Sequence, residues 1–542
     1  MILIKLKGIS CEENLVGQMR LISFKNVKGM YVDKFIKSST ISNKGRLKDF
    51  LANNGYPLDK LTNENLANIQ TILCKNDAPM IVLVKQLGFH EFSYLSSTGE
   101  VWGEKNNLIM LHPDITNSMV KNSTKGNLKN WKKNVAPYAL NSSRLMLVLT
   151  GALSGVLLKY SNIETGGIHL FGDSSTGKST SLMFGASIFG NKDYIQNWCG
   201  TETAFEELIA GHNDSALFLD ELKLLSSDPK QAAEKVMMLI YKATEGQAKK
   251  RSKNYQEYTL SWSGVSLLSA GEVSLEQTAI NGKTNKMDGE RVRVIDVPAD
   301  AGCGLGIYES LPEDINEPSE LSDKIKQSCE LFYGTVQAAY IEGIIKLLKS
   351  GDNALQNKIQ QQISIFFKKL HVDKRNGQIV RFTNRFAIAY AAGVIGIKLG
   401  ILPYKKNDIF KAISLCYQSA LCVRPMSYTE KVDFHYNQII SILTSKNKFL
   451  DIRTNKDYSH MDVNNKHFII SSFNNKKVIG VHSKYIKKLL VDSEIRKSVL
   501  EKLRENGMLI VGASGKNTLQ LRYKQKTLKR RYCFSYSNCQ TN

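Results

Sequence analysis

The chain of 542 residues is 42% hydrophobic and 23% charged, which excludes a disordered protein and leaves room for about two to four domains. Its formal net charge is +23, and residues 431–542 contain 22 basic and 8 acidic side chains, a local excess of 14 positive charges. This basic end favours a polyanionic partner, most simply nucleic acid, whereas a charged surface that only keeps the protein soluble is the alternative.

The cysteines and the apolar stretches indicate the cellular compartment in which the protein acts. The nine cysteines include no C-x-x-C pair, so the sequence predicts neither a zinc ribbon nor a disulfide framework. The longest apolar stretch, LMLVLTGALSGVLL at 145–158, is too short to cross a bilayer and is expected to form a buried helix. The start, MILIKLKG, lacks the apolar region of a secretory signal. We therefore expect a cytoplasmic protein with no membrane partner.

The first part of the chain, residues 1–124, alternates short apolar runs with polar turns, which predicts a small α/β module of undefined function. Residues 125–312 alternate helix-like segments with short apolar runs, which predicts a parallel sheet covered by helices. These runs are GIHLF at 167–171, SALFLD at 215–220, GVSLLSA at 264–270 and RVRVIDVP at 291–298.

The first run leads into GDSSTGKS, which matches G-x-x-x-x-G-K-[ST] at every fixed position. Gly172 and Gly177 allow a tight turn whose N–H groups point at a phosphate chain, and Lys178 adds a charge for the β- and γ-phosphates. The Ser179 hydroxyl can bind Mg²⁺, and the following helix contributes its positive end. An ordinary glycine–serine turn is the alternative, but the flanking strand and helix favour nucleotide. The predicted contacts to ATP come from Gly172, Asp173, Ser174, Ser175, Thr176, Gly177, Lys178, Ser179 and Thr180.

The second run ends in the acidic pair Asp220 and Glu221. Asp220 is expected to hold Mg²⁺ from the outer coordination shell, and Glu221 to polarise the water that attacks the γ-phosphate. The alternative is a strand followed by an acidic helix cap, which would show the same sequence pattern. Together with the loop, however, the pair favours a motor ATPase over a small-molecule kinase.

The third and fourth runs carry further polar candidates. In ATPases of the AAA+ class, the strand between the loop strand and the acidic strand ends in a polar sensor, and Ser269 takes that position, unless it only terminates the strand. Arg291 and Arg293 lie on one face of the fourth run. A guanidinium directed at a neighbouring subunit's nucleotide would stabilise the transition state. Arg293 is the first choice and Arg291 the second, and ordinary surface arginines are the alternative.

A basic segment lies between the second and third runs, at 243–264. Lys249, Lys250 and Arg251 follow a glycine there, and alternating residues come next. The pattern predicts a protruding β-hairpin that grips DNA phosphates inside a ring without reading the sequence. A solvated basic loop is the alternative.

The last two parts of the chain differ in character. Residues 313–430 are predicted to be helical from the periodicity of segments such as VQAAYIEGIIKLLKS. Residues 431–542 run from helices into a basic β-hairpin, which is the order of a winged helix and also of other small α+β domains. We thus predict an α/β protein with four parts: a module at 1–124, a P-loop ATPase core at 125–312, a helical lid at 313–430 and a winged-helix-like DNA-binding domain at 431–542.

Several of these segments together resemble a family of bacterial domains of unknown function. The family belongs to the AAA+ class, is carried by phages and chromosomal cassettes, and includes the MCM-like helicases of staphylococcal cassette chromosomes. The resemblance covers roughly residues 45–400. It rests on NLKNWKKNVAPYALNSSRLMLVL, on the glycine-rich loop, and on NDSALFLDELKLL, GQAKKR, LLSAGEVSL and GERVRVIDVPAD.

The resemblance implies a hexameric ring that hydrolyses ATP with Mg²⁺ and moves along one DNA strand to replicate a mobile element. It assigns the nucleotide residues to the loop, Asp220, Glu221 and Ser269, and the finger to Arg293. It also implies a second sensor, an arginine near the start of a lid helix, at Arg381 or Arg385.

The chain departs from the family at the hairpin, where Ala248 stands in place of a glycine. Relatives fused to a primase carry a longer front end, so that a separate primase, polymerase or initiator is expected as a partner.

A replicative DNA helicase is therefore the leading hypothesis. The second is an ATP-regulated DNA-binding protein that loads other proteins or targets transposition without unwinding DNA. The third is a packaging or defence ATPase.

Overall fold

The computed structural model describes residues 4–12, 18–104, 108–115, 120–198, 200–248, 259–283, 292–425, 428–444, 449–454, 457–490, 492–512 and 515–537. The chain divides into two units, Met1–Val423 and Arg424–Asn542. The predicted boundaries after residues 124 and 312 fall inside the first unit, and the one after residue 430 lies close to the observed division. The finer division of the first unit stays a prediction.

The N-terminal part of the first unit contains a five-stranded mixed sheet in the order β3-β2-β1-β4-β8 and a separate three-stranded sheet, β5-β6-β7. Apolar side chains at helical spacing, such as Leu47 and Leu51, are buried in one cluster with Ile22 and Phe24 of β2. The strands are β1 (Ile4–Glu12), β2 (Met19–Lys25), β3 (Tyr31–Lys37), β4 (Met80–Val84), β5 (Gly88–His90), β6 (Ser93–Leu95), β7 (Val101–Gly103) and β8 (Leu108–Leu111). The helices are α1 (Ser38–Ile41), α2 (Lys44–Asn53) and α3 (Asn63–Leu73).

A parallel sheet forms the centre of the first unit, as predicted, with strand order β10-β11-β12-β9-β13. Its inner strands are almost continuously apolar because helices cover both faces. The strands are β9 (Gly166–Phe171), β10 (Gln196–Asn197), β11 (Ser215–Asp220), β12 (Val265–Gly271) and β13 (Val294–Pro298). The helices of this region are α4 (Leu128–Asn134), α5 (Ser143–Ser154), α6 (Lys178–Ala186), α7 (Glu202–Gly211), α8 (Pro229–Glu245) and α9 (Leu275–Asn281).

Helix α5 lies in the middle of the core, and every one of its residues is buried. Ser142 caps it by accepting a hydrogen bond from the Leu145 N–H at 3.2 Å. The stretch Ser143–Tyr160 is long and apolar enough to span a membrane, but 89% of it is buried inside the protein. The apolar stretch is therefore a core helix, as the sequence predicts.

Five helices follow the parallel sheet, so the helical character predicted for residues 313–430 is present. The second-last and last of them pack against α5, and the first packs against α6. They are α10 (Pro318–Leu331), α11 (Thr335–Lys349), α12 (Ala354–Lys369), α13 (Gly377–Lys398) and α14 (Lys406–Val423).

The second unit contains a five-stranded sheet in the order β14-β15-β16-β20-β17 and a short hairpin, β18-β19. The predicted sequence of helices followed by strands is present, but the structure adds a helix and three strands before the last helix pair. Its helices are α15 (Tyr428–Thr444), α16 (His460–Asn465), α17 (Ser483–Leu489) and α18 (Ser493–Glu505). Its strands are β14 (Leu450–Asp451), β15 (Phe468–Phe473), β16 (Lys476–His482), β17 (Leu509–Ile510), β18 (Arg522–Tyr523), β19 (Lys526–Thr527) and β20 (Arg531–Ser535).

The small sheet β5-β6-β7 docks where β11 begins. The Asp214 carboxylate accepts a hydrogen bond from the Phe89 N–H at 2.9 Å, and the Asn213 amide donates to the Leu87 carbonyl at 2.7 Å. Gly88 has a φ of +94°, and any side chain there would collide with the Asp214 carboxylate. Asp214 is fully buried, and burial raises its pKa to about 6.

The Asp214 carboxylate makes the stability of the first unit depend on pH. Its pKa is about 6 in the folded protein against 3.8 for an ordinary aspartate, so the folded form binds more protons in that interval. The free energy of unfolding therefore falls as pH rises through it, by on the order of 2–3 kcal/mol. We expect Asp214→Asn to remove this fall, measured as the midpoint of thermal unfolding against pH.

Asp49→Asn is the matched control, because Asp49 is exposed on α2. His212, whose pKa burial lowers to about 4, is present in all three proteins and cancels from the comparison. Parallel pH profiles for the wild type and Asp214→Asn would contradict the assignment.

Candidate nucleotide-binding site

The glycine-rich loop connects β9 to α6 and takes backbone conformations that favour glycine. Gly172, Ser175 and Gly177 have φ values of 154°, 63° and 99°. Gly177 is also the residue that precedes the first turn of α6, and a side chain there would collide with Ile307. The loop therefore turns tightly and directs its N–H groups to the space in front of α6.

Lys178 folds back across this loop. Its ammonium donates to the carbonyl oxygens of Gly172 at 2.8 Å and of Asp173 at 2.6 Å, and it lies 3.3 Å from the Thr176 hydroxyl. A cation held by carbonyl dipoles at the mouth of a ring of N–H groups can exchange these partners for phosphate oxygens. The residue is thus placed where a triphosphate would meet it.

Ser179 and Asp220 meet across the sheet. The Ser179 hydroxyl donates to Asp220 Oδ2 at 3.0 Å, although the two residues come from α6 and the end of β11. Asp220 Oδ1 accepts from the backbone N–H of Glu221 at 2.9 Å. A hydroxyl and a carboxylate at one point are the oxygen ligands that Mg²⁺ accepts, so these residues fit the metal that the sequence predicts.

Glu221 follows β11 in a left-handed conformation, with φ at 58°, and is exposed. A glutamate seldom adopts this backbone, and such strain is concentrated at functional sites. Because the chain turns at this residue, the Glu221 side chain does not continue the alternation of β11. It lies at the edge of the same cleft as Lys178.

These residues line a cleft of about 630 Å³, a size that suits a nucleotide. Its walls come from the loop and α6, from the ends of β11 and β12, and from α10. The lining residues are Ser174, Ser175, Gly177, Lys178, Ser179, Thr180, Asp220, Glu221, Leu222, Gly271, Glu272, Ser319, Ser322, Asp323 and Lys326.

Ser269 lies in the strand that the sequence predicts, since β12 runs between β9 and β11. Its hydroxyl is buried and lies 2.8 Å from Nδ1 of His169, whose Nε2 lies 3.1 Å from the Val273 carbonyl. A carbonyl oxygen only accepts, so Nε2 carries a proton, and in the neutral ring Nδ1 accepts from Ser269. The residues of the β12 end that line the cleft are Gly271 and Glu272 instead.

Arg385 lies at the opposite edge of the sheet from the loop. Its guanidinium donates to the carbonyl oxygens of Glu164 and, at 3.1 Å, Thr165, which directly precede β9. Burial lowers the pKa of Arg385 to about 10. The donors of Arg385 hold the start of β9, and the choice of Arg381 or Arg385 as a second sensor stays a prediction. Arg381, one turn earlier on α13, is exposed and does not line the cleft either.

Arg293 directly precedes β13 and therefore also lies at the edge of the sheet away from the cleft. It is half-buried, and its guanidinium carbon lies 5.1 Å from the ring centre of Tyr241. Arg291 lies outside the described residues, and so do Lys249, Lys250 and Arg251.

The wall formed by α10 was not predicted from the sequence. Ser319, Ser322, Asp323 and Lys326 line the cleft opposite the loop, while Leu321 and Ile325 are buried on the other side. The sequence contains a signal for this wall, because its four polar residues are spaced at i, i+3, i+4 and i+7 and so share one face of a helix. Lys326 pairs with Asp323 at 3.2 Å and adds a second cation to the cleft.

The segment after β13 is also held against the loop. The Ile307 N–H donates to the Thr176 carbonyl at 3.0 Å. Arg144, which is 2% exposed, donates to the carbonyl oxygens of Pro298 at 3.1 Å and Asp300 at 2.8 Å and pairs with Glu309 at 3.2 Å. This buried network fixes one wall of the loop from behind.

The fold is therefore a mixed α/β fold with a parallel sheet and many helices, and comparisons with known proteins agree with it. Residues 3–258 match a family described as a domain of unknown function, DUF927. This region includes the glycine-rich loop and the acidic pair. No curated protein sequence matches the chain.

A solved structure described as "SCCmec type IV Cch - active helicase" is similar to this chain, with a TM-score of 0.59 and 16% sequence identity. The alignment covers 98% of this chain and 93% of the other. At this identity the likeness shows the fold. The resemblance to a bacterial domain family of unknown function is confirmed by the match to DUF927, and the fold is similar to that of a structure described as a helicase.

The position of Lys326 leads to a prediction. Lys326→Ala removes a cation from the cleft wall, so we expect the affinity for ATP with Mg²⁺ to fall about fivefold, equivalent to about 1 kcal/mol for a partly exposed charged contact. The measurement is a titration with a fluorescent ATP analogue. Lys324→Ala is the matched control, because Lys324 pairs with Asp314 and Glu320 and does not line the cleft. Equal affinities for the two variants would contradict the role of Lys326.

Proposed function

We propose that this protein is the ATP-dependent DNA helicase of a mobile genetic element. The observation that carries the proposal is the convergence of Lys178, the Ser179–Asp220 pair and Glu221 in one cleft at the end of the parallel sheet. Similarity in fold to a structure described as an active helicase supports it.

In the proposed reaction, the loop N–H groups and Lys178 hold the phosphates in place. Ser179 and Asp220 hold Mg²⁺, which when bound neutralises charge on the phosphate oxygens. Glu221 accepts a hydrogen bond from the attacking water and orients it in line with the γ-phosphate. Lys326 supports the nucleotide from the α10 side.

We propose that Arg293 acts in a neighbouring subunit, with Arg291 as the second choice, and that the protein forms a hexameric ring. Arg293 lies at the far edge of the sheet from its own cleft, which supports action in trans. Tyr241, whose ring it contacts, is 49% exposed, and Met238 on the same helix and Ile280 on α9 are 36% and 58% exposed. Apolar side chains exposed in this way favour a subunit interface.

The basic segment Lys249–Arg251 is proposed to contact DNA from a hairpin. The described residues on both sides of it are paired in antiparallel fashion. The Ala248 N–H donates to the Leu260 carbonyl at 2.8 Å, and the Trp262 N–H donates to the Gly246 carbonyl at 2.9 Å. Paired flanks of this kind support a hairpin that projects from the end of α8.

The second unit is proposed to be a winged-helix-like DNA-binding domain. Its strands β16, β20 and β17 are neighbours in that order, and α17 and α18 lie between β16 and β17 in the chain. The hairpin β18-β19 comes directly before β20, as a wing would. Action in the cytoplasm with a separate primase, polymerase or initiator completes the proposal.

The helicase proposal is tested by displacement of a labelled strand from forked DNA. The wild type is expected to displace the strand with ATP and Mg²⁺. Glu221→Gln should bind ATP but lose turnover by about a hundredfold or more, because no carboxylate orients the water. Lys178→Ala is the control for loss of nucleotide binding. DNA-stimulated hydrolysis without any displacement would favour a loader that does not unwind DNA.

The hairpin proposal is tested by the double variant Lys249→Ala and Lys250→Ala. Basal ATP hydrolysis should stay unchanged, while unwinding and the salt dependence of DNA binding should both decrease because phosphate contacts are lost. Lys44→Ala with Lys48→Ala removes the same charge from the exposed face of α2 and is the control. Normal unwinding by the hairpin variant would refute the assignment.

A further inference from the structure

One edge of the sheet in the second unit collects the ends of three strands. β15 begins at Phe468, which pairs with Val481 of β16, and His482 at the end of β16 pairs with Arg531 at the start of β20. In this antiparallel arrangement the residues just before β15, just after β16 and just before β20 share the same edge. Those residues include Lys466, His467, Lys484, Lys529 and Arg530, all of them exposed, and we call this set the basic edge.

The electrostatics around His482 indicate how close these side chains are. His482 is buried at this edge, and its pKa is lowered first by burial and then by the charges of Arg531, Lys529, His467 and Lys484. The strand register places these groups at one edge, so positive charges from the start of β20 and from just after β16 lie near the same imidazole. Such an assembly of like charges is unfavourable for the isolated domain and is relieved by an anion.

Arg531 makes the edge rigid from within. It is fully buried and donates to the carbonyl oxygens of Lys466 at 2.8 Å, Val463 at 2.9 Å and Asn464 at 3.2 Å. The Lys529 N–H also donates to Asn464 Oδ1 at 2.7 Å. The end of α16 and the start of β20 are thus joined, and the basic edge is presented on a fixed backbone.

Acidic residues are scarce beside the basic edge. The sequence contains no Asp or Glu in 463–491 or in 506–542. Asp462, just before the first of these segments, is held in a capping box with Ser459. The exposed hairpin residues Arg522, Lys524 and Lys526 extend the positive charge, and Lys524 donates to the Tyr458 carbonyl at 3.1 Å.

Helix α18, which a winged helix would place in a DNA groove, is less suited to DNA. Its exposed residues include Glu494, Glu501 and Glu505 beside Lys497 and Arg504. One side of α18 packs against α15, where Lys502 pairs with Asp433. The mixed charges would repel phosphates as often as they attract them.

We propose that the basic edge is the surface of the second unit that holds the phosphate backbone of duplex DNA, and this rests on the proposed helicase function. Duplex is favoured over single strands because no tyrosine ring of the described edge is open for stacking. Tyr458 and Tyr485 are half-buried and Tyr523 is buried. Recognition is then independent of base sequence and dependent on salt.

The experiment compares two triple variants of the full-length chain. Lys484→Ala, Lys529→Ala and Arg530→Ala together remove three charges from the basic edge. Lys431→Ala, Lys476→Ala and Lys497→Ala remove three exposed charges from α15, from the turn at the opposite end of the sheet and from α18. Binding of a labelled random duplex, a labelled single strand and a duplex RNA is measured by anisotropy over a range of salt concentrations, and basal ATP hydrolysis reports folding.

We expect the edge variant to bind duplex DNA at least tenfold more weakly and the slope of log affinity against log salt to decrease by about 2–3, while the control variant matches the wild type. Equal slopes for both variants, a loss confined to the control, or wild-type preference for single strands or RNA would overturn the proposal. Failure of strand displacement with intact duplex binding would overturn the helicase function and leave the basic edge in place.

Discussion

The hydrogen bond from Ser179 to Asp220 is the contact on which the candidate site depends. Ser179 lies in the first turn of α6, after β9, and Asp220 ends β11, and β12 lies between these two strands in the sheet. They meet because the carboxyl ends of parallel strands share one edge, so that a loop after β9 and an acidic residue after β11 face the same space. Without that shared edge, the loop would bind phosphate but would have no carboxylate beside it.

The groups behind this contact explain why it can be rigid. Arg144 is buried, donates hydrogen bonds to the carbonyl oxygens of Pro298 and Asp300, and pairs with the Glu309 carboxylate. Its positive charge is therefore compensated on several sides. Its removal would take from these acceptors their buried cationic partner. The segment it holds carries Ile307 against Gly177. The conformation of the loop is therefore set by a core interaction as well as by its own glycines.

The sequence predicts local features of the site well and long-range features poorly. The loop, the acidic pair and the strand runs depend on neighbouring residues, and the structure has these elements where the pattern places them. Lys326 was missed because its role comes from the packing of α10 against α6, which no short pattern encodes. The place of Arg385 on a helix likewise does not reveal which edge of the sheet its guanidinium reaches. The basic edge likewise exists only after three strand ends are brought together.

Strand β11 connects the docking site of the small N-terminal sheet with the acidic pair at the cleft. At its start, Asp214 holds the small N-terminal sheet, and at its end Asp220 and Glu221 face the cleft. Six residues of strand span about 20 Å, and a buried parallel strand resists stretching because both neighbours hold its backbone. A shift of the N-terminal sheet would therefore be transmitted along β11 as a rigid displacement rather than absorbed. Phe89 and Tyr94 of the small sheet are also buried in the main core cluster, so the N-terminal part of the chain is firmly joined to the strand that carries the acidic pair.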